Sequence, residues 1–398
     1  MFSPGFRTRL GVRAAVWVLV PEVALLVAAQ GWAQPVPTLP IQTGGISSIA
    51  GSFPVGPASP DLMAAHFINV GQGSAALFEF SCGAILIDTG GQREAATDWR
   101  QRFADYLDGF FARRSDLNRT LDVVYITHPH PDHTNGIAVL LGNSGISFRH
   151  VITDAEKTGA GKNDQRRLIQ IANQRVIPQV QIKTSMIGKS ILGLTSRYID
   201  PLKCRGRAPD IRVLWGSYDE PNSWNSSQRG NENNHSVAVR IAFGDSSFLV
   251  TGDMEEPAIK AMIKRYQRNI GVLNTDVYVA GHHGSRNGTT AELVHVMSPE
   301  LAIISAGDPS DEEPGFAAFG FGHPNQATVN LLTNPSTGVT FSRPEKQVAV
   351  GIRGRNPSTG ALPTYEKIAI DRAVFATGWD GNIVVLAGAD GAKSVIIE

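Results

Sequence analysis

A chain of 398 residues, 42% apolar and 18% charged, is long enough for one large or two ordinary domains and can bury a sizeable core. Lysine plus arginine equals aspartate plus glutamate, 36 of each, so no overall charge holds a polyanion and any such contact must come from a local patch. The 2 cysteines, Cys82 and Cys204, lack Cys-x-x-Cys spacing and are not assigned to metal; they allow one disulfide in an oxidising compartment.

In chain order, Arg7, Arg9 and Arg13 precede an apolar run at 14–20, which resumes after Pro21-Glu22 and ends near Ala29. With small residues at Val27-Ala28-Ala29 or Gly31-Trp32-Ala33, residues 1–33 read as a cleaved signal peptide of an exported protein, periplasmic or secreted. An uncleaved N-terminal membrane anchor is the alternative, although the run falls short of the roughly 20 residues that span a bilayer. Residues 34–62, rich in Pro, Gly and Ser, read as a linker. Regular structure is expected from Met63, as a strand over 63–70, a glycine turn at Gly71-Gln72-Gly73-Ser74, and strands over 75–80 and 84–87 ending in Asp88-Thr89-Gly90-Gly91. Trp99, Phe103, Tyr106, Leu107, Phe110 and Phe111 recur at helical spacing, as a core-facing stripe does.

The buried strand expected over 121–126 runs into Thr127-His128-Pro129-His130-Pro131-Asp132-His133. Three imidazoles and a carboxylate within six residues suit zinc and similar divalent metals. The two prolines bar a helix between the ligands and stiffen the loop, so less entropy is lost on closing around an ion. Residues 155–213 carry twelve Lys/Arg against four acids, a local excess that stands out in a neutral chain. Three further strand ends carry polar clusters: Asn233-Asn234-His235-Ser236 before a strand, Thr251-Gly252-Asp253 after one, and Gly281-His282-His283-Gly284-Ser285 after another. Phe321-Gly322-His323-Pro324 and a closing Thr377-Gly378-Trp379-Asp380-Gly381-Asn382-Ile383 complete the pattern.

The His-x-His-x-Asp-His run resembles the zinc-ligand motif of the metallo-β-lactamase superfamily. From about Met63 onward, the elements ending in Asp88-Thr89-Gly90, Asn233-Asn234-His235-Ser236, His282-His283-Gly284-Ser285 and Gly322-His323-Pro324 resemble the hydrolase domains of ComEC-type DNA-uptake proteins. Ser74 stands where that group carries an acid. The resemblance implies an α/β fold, a four-layer αββα sandwich over 63–398. It implies two divalent ions, zinc foremost and manganese next, one held by His128, His130 and His235 and the other by Asp132, His133 and His282, with Asp253 shared. Asp88 and His323 would orient ligands from behind. Asp132 and His283 would take part in catalysis, His283 as a proton donor beside the ligand His282. The reaction class implied is metal-assisted hydrolysis, because such ions bring the pKa of water toward about 7. A phosphodiesterase or nuclease, with nucleic acid held by the basic residues of 155–213, is the first expectation. A small-ester or β-lactam hydrolase is the alternative, and a metal-stabilised binding protein without turnover is the third. The chain lacks the many membrane spans of a DNA channel, so the likeness is to the hydrolase domain alone.

Overall fold

The protein is described by a computed structural model covering residues 38–43, 59–91, 98–142, 145–154, 158–216, 224–310, 317–356 and 358–398. Two compact units divide the chain, Met1–Pro35, which lies outside the described residues together with the expected signal peptide, and Val36–Glu398. The expected linker is interrupted: Ile41–Thr43 (β1) pairs in parallel with Lys393–Ile397, a tertiary contact that overrides its turn-rich surroundings.

The next elements are Leu62–Phe67 (β2), Ala76–Phe80 (β3), Gly83–Ile87 (β4), helix Trp99–Arg113 (α1), Val123–Ile126 (β5), Val151–Asp154 (β6), helix Lys162–Gln174 (α2) and Gln179–Ile182 (β7). After these come Asp210–Trp215 (β8), Ala238–Phe243 (β9), Ser246–Val250 (β10), helix Glu256–Tyr266 (α3), Val277–Val279 (β11), helix Ala291–Met297 (α4), Leu301–Ile304 (β12) and helix Gln326–Leu332 (α5). The chain closes with a long hairpin, Ser342–Arg353 (β13) and Thr364–Arg372 (β14), followed by Val374–Ala376 (β15), Ile383–Gly388 (β16) and Lys393–Ile397 (β17). Among the described residues, one sheet has the order β1-β17-β16-β2-β3-β4-β5-β6-β7, and a second has β8-β9-β10-β11-β12-β15.

Strand register explains why these strands are apolar on both faces. Phe78, Ile85 and Val123 lie abreast across β3, β4 and β5, and so do Leu77, Leu86 and Val124. Side chains alternate across a sheet, so the first set enters one core and the second enters another. The first set meets the second sheet in a shared core with Val239, Ile241 and Phe248, where the Phe78 and Phe248 rings meet edge to face at 5.5 Å. The second set packs on the aromatic stripe of α1 and on Leu168 and Ala172 of α2. Each fully buried ring or branched chain there contributes about 1.5–3 kcal/mol. Helices α3, α4 and α5 contribute Ile259, Met262, Leu293 and Val329 to the core of the second sheet. The layers therefore run helix, sheet, sheet, helix, the αββα sandwich expected of an α/β chain.

Strands β4, β5 and β6 are parallel, as are β10, β11, β12 and β15. The polar clusters recognised in the sequence sit just past the carboxyl ends of β4, β5, β10 and β11, where open α/β sheets place their sites. At the opposite end, the tight turn between β3 and β4 carries Cys82, which is disulfide-bonded to Cys204, 122 residues away in sequence.

Candidate metal centre

The run after β5 is a loop as far as His130 and then a helical turn, Pro131–Thr134, which Pro131 opens at the first position instead of barring; the fold itself holds this run in place. Asp88, fully buried, accepts the Thr127 backbone N–H at 2.7 Å and the Thr127 hydroxyl at 2.8 Å, and its Oδ2 lies 2.7 Å from His133 Nδ1. Asp88 thus grips both ends of the ligand-bearing run. The glycine turn after β2 packs against that run, with Ser74 N–H donating to the Asp132 carbonyl at 2.9 Å. A Cβ on Gly73 would fall 2.7 Å from that carbonyl and 2.4 Å from Gly91 N, so no larger residue fits the approach. The stretch leading into α2 closes the other side: Gly161 N–H donates to the Pro129 carbonyl at 2.7 Å, and a Cβ there would meet the His130 backbone at 2.8 Å.

Two groups of metal-capable atoms result, each with its ligand atoms within 4.8 Å of one another: Asp132, His133, Asp253 and His283, and His128, His130 and Asp253. Asp253 belongs to both. Its Oδ1 lies 3.1 Å from His133 Nε2, and its Oδ2 lies 3.5 Å from His283 Nε2 and 3.7 Å from His128 Nε2. Asp132 Oδ2 stands 3.1 Å from His283 Nε2.

The donor set fits divalent cations. His283 Nδ1 donates to the Ser305 carbonyl at 2.7 Å, and His133 Nδ1 faces the Asp88 carboxylate, so both rings turn Nε2 toward the same space, 3.2 Å apart. Histidines that ligate metals are oriented in this way by a partner on the other nitrogen. His128 Nε2 and Asp132 Oδ1 are buried with no hydrogen-bond partner. Orphaned acceptors aimed into a cluster of carboxylates and imidazoles are atoms that an ion would satisfy.

Electrostatics describe how the metal-free protein copes with this crowding. Burial lowers the His128 pKa well below its usual value, so the ring stays neutral. Burial also opposes charge on His283, but the Asp253 and Asp132 carboxylates outweigh it and push the imidazole up to about 10. His133 is raised in the same way, burial being outweighed by Asp253 and Asp88. Burial works to raise Asp253, yet His133, His283 and His282 hold it well below the usual carboxylate range. The folded His283 pKa exceeds the unfolded value of about 6.5, so its contribution to metal-free stability is complete below that pH and is lost as pH rises through about 10. An ion held by His283 would take the place of this proton. We expect metal loading at pH 7 to release protons, and metal affinity to strengthen as pH rises toward 10. Titration calorimetry in buffers of different ionisation enthalpy measures the release, and loading without it would contradict the protonated His283.

The structure departs from two expected ligands. His283, not His282, joins Asp132 and His133, because the turn after β11 puts both histidines at positive φ, 52° and 54°, and swings the second ring inward. His282 stays at the mouth, 22% exposed, 3.9 Å from Asp253 and 3.6 Å from Glu255. His235 is outside both groups: its Nε2 bonds the Arg229 carbonyl at 2.7 Å, and its ring packs 5.9 Å from that of Trp224. Its neighbour Asn233 faces the site instead, with Nδ2 3.0 Å from Glu255 Oε1 and 3.5 Å from His282 Nε2, and with Oδ1 buried and unpartnered. Asn233 and Glu255 are site residues the sequence reading missed; their positions beside His235 and Asp253 were the available signal. His323 is buried against His283, with its ring stacked at 6.4 Å and Nδ1 3.5 Å from Gln72.

Among the described residues of the basic stretch 155–213, the cations do not form one patch. Residues 158–167 lie where α2 leaves the ligand loop, with Arg166 and Arg167 exposed. Lys203, Arg205 and Arg207 are tied by the Cys82–Cys204 bond to the opposite end of the sheet, about 17 Å of strand away from Asp88.

Residues 68–308, more than half of the chain, match the metallo-beta-lactamase superfamily. The chain belongs to this superfamily. It is similar to ComE operon protein 3 of Bacillus subtilis (strain 168), 23% identical over 306 residues, which is 75% of this chain and 34% of that protein. It is also similar to the competence protein ComA of Neisseria gonorrhoeae, 31% identical over 101 residues, 25% of this chain and 13% of that protein. The chain thus spans about a third or less of the length of these two relatives. Among solved structures, a putative metal-dependent hydrolase from Parabacteroides distasonis is 13% identical, with 70% of this chain and 92% of that one covered and a TM-score of 0.36. The clustered His and Asp side chains form a site able to hold divalent metal, as hydrolases of this superfamily use.

Proposed function

We propose that this superfamily member is an exported phosphodiesterase that cleaves nucleic acid with two divalent ions, zinc or manganese. The observation that carries the reading is Asp253, which belongs to two groups of metal-capable atoms at once, where a structural zinc takes a single set of four ligands. His128 and His130 would hold one ion, Asp132, His133 and His283 the other, with Asp253 between them. When bound, the ions would polarise the phosphoryl oxygens and lower the pKa of water. The chain's own residues do the rest. Asp88 and the Ser305 carbonyl keep the His133 and His283 rings fixed. His282, at the mouth beside Glu255 and Asn233, takes the proton-donor role that the sequence pattern assigned to its neighbour.

Similarity to ComE operon protein 3 over three quarters of the chain and to a competence protein over a quarter of it supports a nucleic-acid substrate. The N-terminal pattern and the Cys82–Cys204 disulfide support export to an oxidising compartment. Among the described residues no helix is long and apolar enough to cross a membrane. The division of the basic stretch favours a second reading, a small-ester or β-lactam hydrolase, because among its described residues Lys162, Arg166 and Arg167 are the cations that follow Gly161, which contacts the ligand-bearing run.

The test compares single-stranded DNA, bis(p-nitrophenyl) phosphate and a cephalosporin with metal-loaded protein. DNA cleavage should weaken with salt at about 0.7 log units per neutralised phosphate. Arg166→Gln with Arg167→Gln should flatten that slope, whereas Lys203→Gln, Arg205→Gln and Arg207→Gln together should leave it unchanged. Turnover of the cephalosporin alone would replace this reading with the second.

A further inference from the structure

Three aliphatic side chains stand out in solvent on two neighbouring turns: Ile191, 69% exposed, Leu192, 44%, and Ile270, 38%. The turns are bound to each other and to the second sheet. Arg265, near the end of α3, donates through Nη2 to the Gly188 and Ser190 carbonyls, both at 2.9 Å, and Asn269 Nδ2 donates to the Ile191 carbonyl at 3.1 Å. Leu194 and Val213 exchange backbone hydrogen bonds of 2.8 Å, which tie the first turn to the edge strand β8. Ile187, Tyr266 and Leu273, from the same two segments, are buried in the core. Each isoleucine follows an exposed cation by two residues, Lys189 before Ile191 and Arg268 before Ile270, and Lys264 is exposed one helical turn earlier. Residues 183–199 and 257–275 contain no aspartate or glutamate, although the chain has 36. Asp210, at the start of β8, is engaged by Arg212 Nε at 2.8 and 2.9 Å. Helix α3 begins just past Asp253, and its 11 residues carry the chain about 16 Å before the turn of Ile270 is reached, so the aliphatic tips lie away from the metal-capable groups.

We propose that this surface docks on an anionic bilayer, with Ile191, Leu192 and Ile270 entering the boundary between headgroups and acyl chains while Lys189, Lys264 and Arg268 meet lipid phosphates. Apolar tips flanked by cations suit interfacial binding, in which buried apolar area and attraction to anionic headgroups add. The aliphatic chains argue against nucleic acid as the occupant: they offer no ring on which a base stacks, and a phosphate backbone would leave them in water. The cations argue against a second copy of the same surface, because a two-fold contact would set like charges against each other. Docking by the far end of α3 keeps the metal-capable groups clear of the lipid. The surface also gives a use to Lys189, a member of the basic stretch that lies outside the ligand-bearing loops, and it is independent of which substrate the metal centre takes.

The experiment uses the full chain with vesicles of phosphatidylcholine alone and of phosphatidylcholine mixed equally with phosphatidylglycerol. Wild type should sediment with the mixed vesicles and release them as salt rises. Lys189→Gln, Lys264→Gln and Arg268→Gln together should weaken that partition about fivefold per charge, roughly a hundredfold in all. Ile191→Ser with Ile270→Ser should weaken it roughly tenfold or more while keeping the salt dependence. Both variants change exposed side chains and should keep the wild-type melting temperature and metal content, which separates lost docking from lost folding. The apolar run at 14–29 can also hold the chain on lipid, so a local readout decides the matter. Ile270→Trp should be quenched by brominated acyl chains in the mixed vesicles well beyond the level of wild type. Quenching no greater than that of wild type would overturn the docking. Weaker binding of the glutamine variant with none of the serine variant would overturn it in favour of a charge-only contact with a phosphate-bearing polymer. A concentration-dependent dimer abolished by Ile191→Ser would overturn it in favour of a second copy.

Discussion

Asp253→Asn should bring metal content to below one ion per chain and hydrolysis to background. Asp253 is the one side chain common to both ligand groups, and it sits within 3.1–3.7 Å of three imidazoles. The amide keeps the volume but removes the charge that two cations would share and that holds His133 and His283 protonated in their absence. Loss of a residue that only orients a ligand typically costs 10–100-fold, so loss of a shared ligand should exceed roughly 100-fold. The control is Asp88→Asn, which should fall within that lower range because Asp88 acts through Thr127 and His133. Metal analysis with a chromogenic diester assay decides the matter. An Asp253→Asn protein that retains two ions and activity would remove the dinuclear interpretation.

The second large effect is on stability. Cys82–Cys204 closes a loop of 122 residues, and the loop-entropy argument gives about 5 kcal/mol as the ceiling for such a crosslink. Cys204→Ser, or reduction of the wild type, should lower the midpoint of thermal unfolding by several degrees while leaving metal content unchanged, because the bond lies at the end of the sheet remote from Asp253. Protein recovered from the cell envelope, expected to begin near Gln30 or Gln34, should carry the bond oxidised. Free thiols in that material would contradict export to an oxidising compartment. Unchanged unfolding after reduction would show that the unfolded chain is already compact across this loop.

What could be read in the sequence was whatever is local. His128 and His130 lie in the loop after β5, Asp132 and His133 in the helical turn Pro131–Thr134 that continues it, and Asp253 shortly after β10, so their convergence needs little more than parallel strands ending at the same edge. The apolar strands and the aromatic stripe of α1 were legible because a strand buried on both faces and a helix buried on one each leave a plain local pattern. Three features were not legible because distant contacts decide them. Which of His282 and His283 turns inward depends on two consecutive left-handed backbone conformations. His235 is drawn away by the Arg229 carbonyl, an acceptor supplied by a short helical turn. The charge excess of 155–213 is contiguous in sequence but divided in space, because Cys204 is bonded to a turn at the far end of the sheet. The strand Ile41–Thr43 within the expected linker, and the long hairpin beside Phe321, likewise owe their places to partners far along the chain.

The two ligand groups draw on loops from both sheets: His128, His130, Asp132 and His133 extend from one, Asp253 and His283 from the other. An ion seated there would act as a rivet through the seam of the sandwich. Its binding free energy would be added to the cohesion of the two halves, about 2.7 kcal/mol for a single site at a free concentration one hundred times its Kd. Scarcity of metal would then be felt first as a loosening of the interface between the halves, before any substrate arrives. The melting temperature would serve as a gauge of the metal supply in the compartment where the protein works.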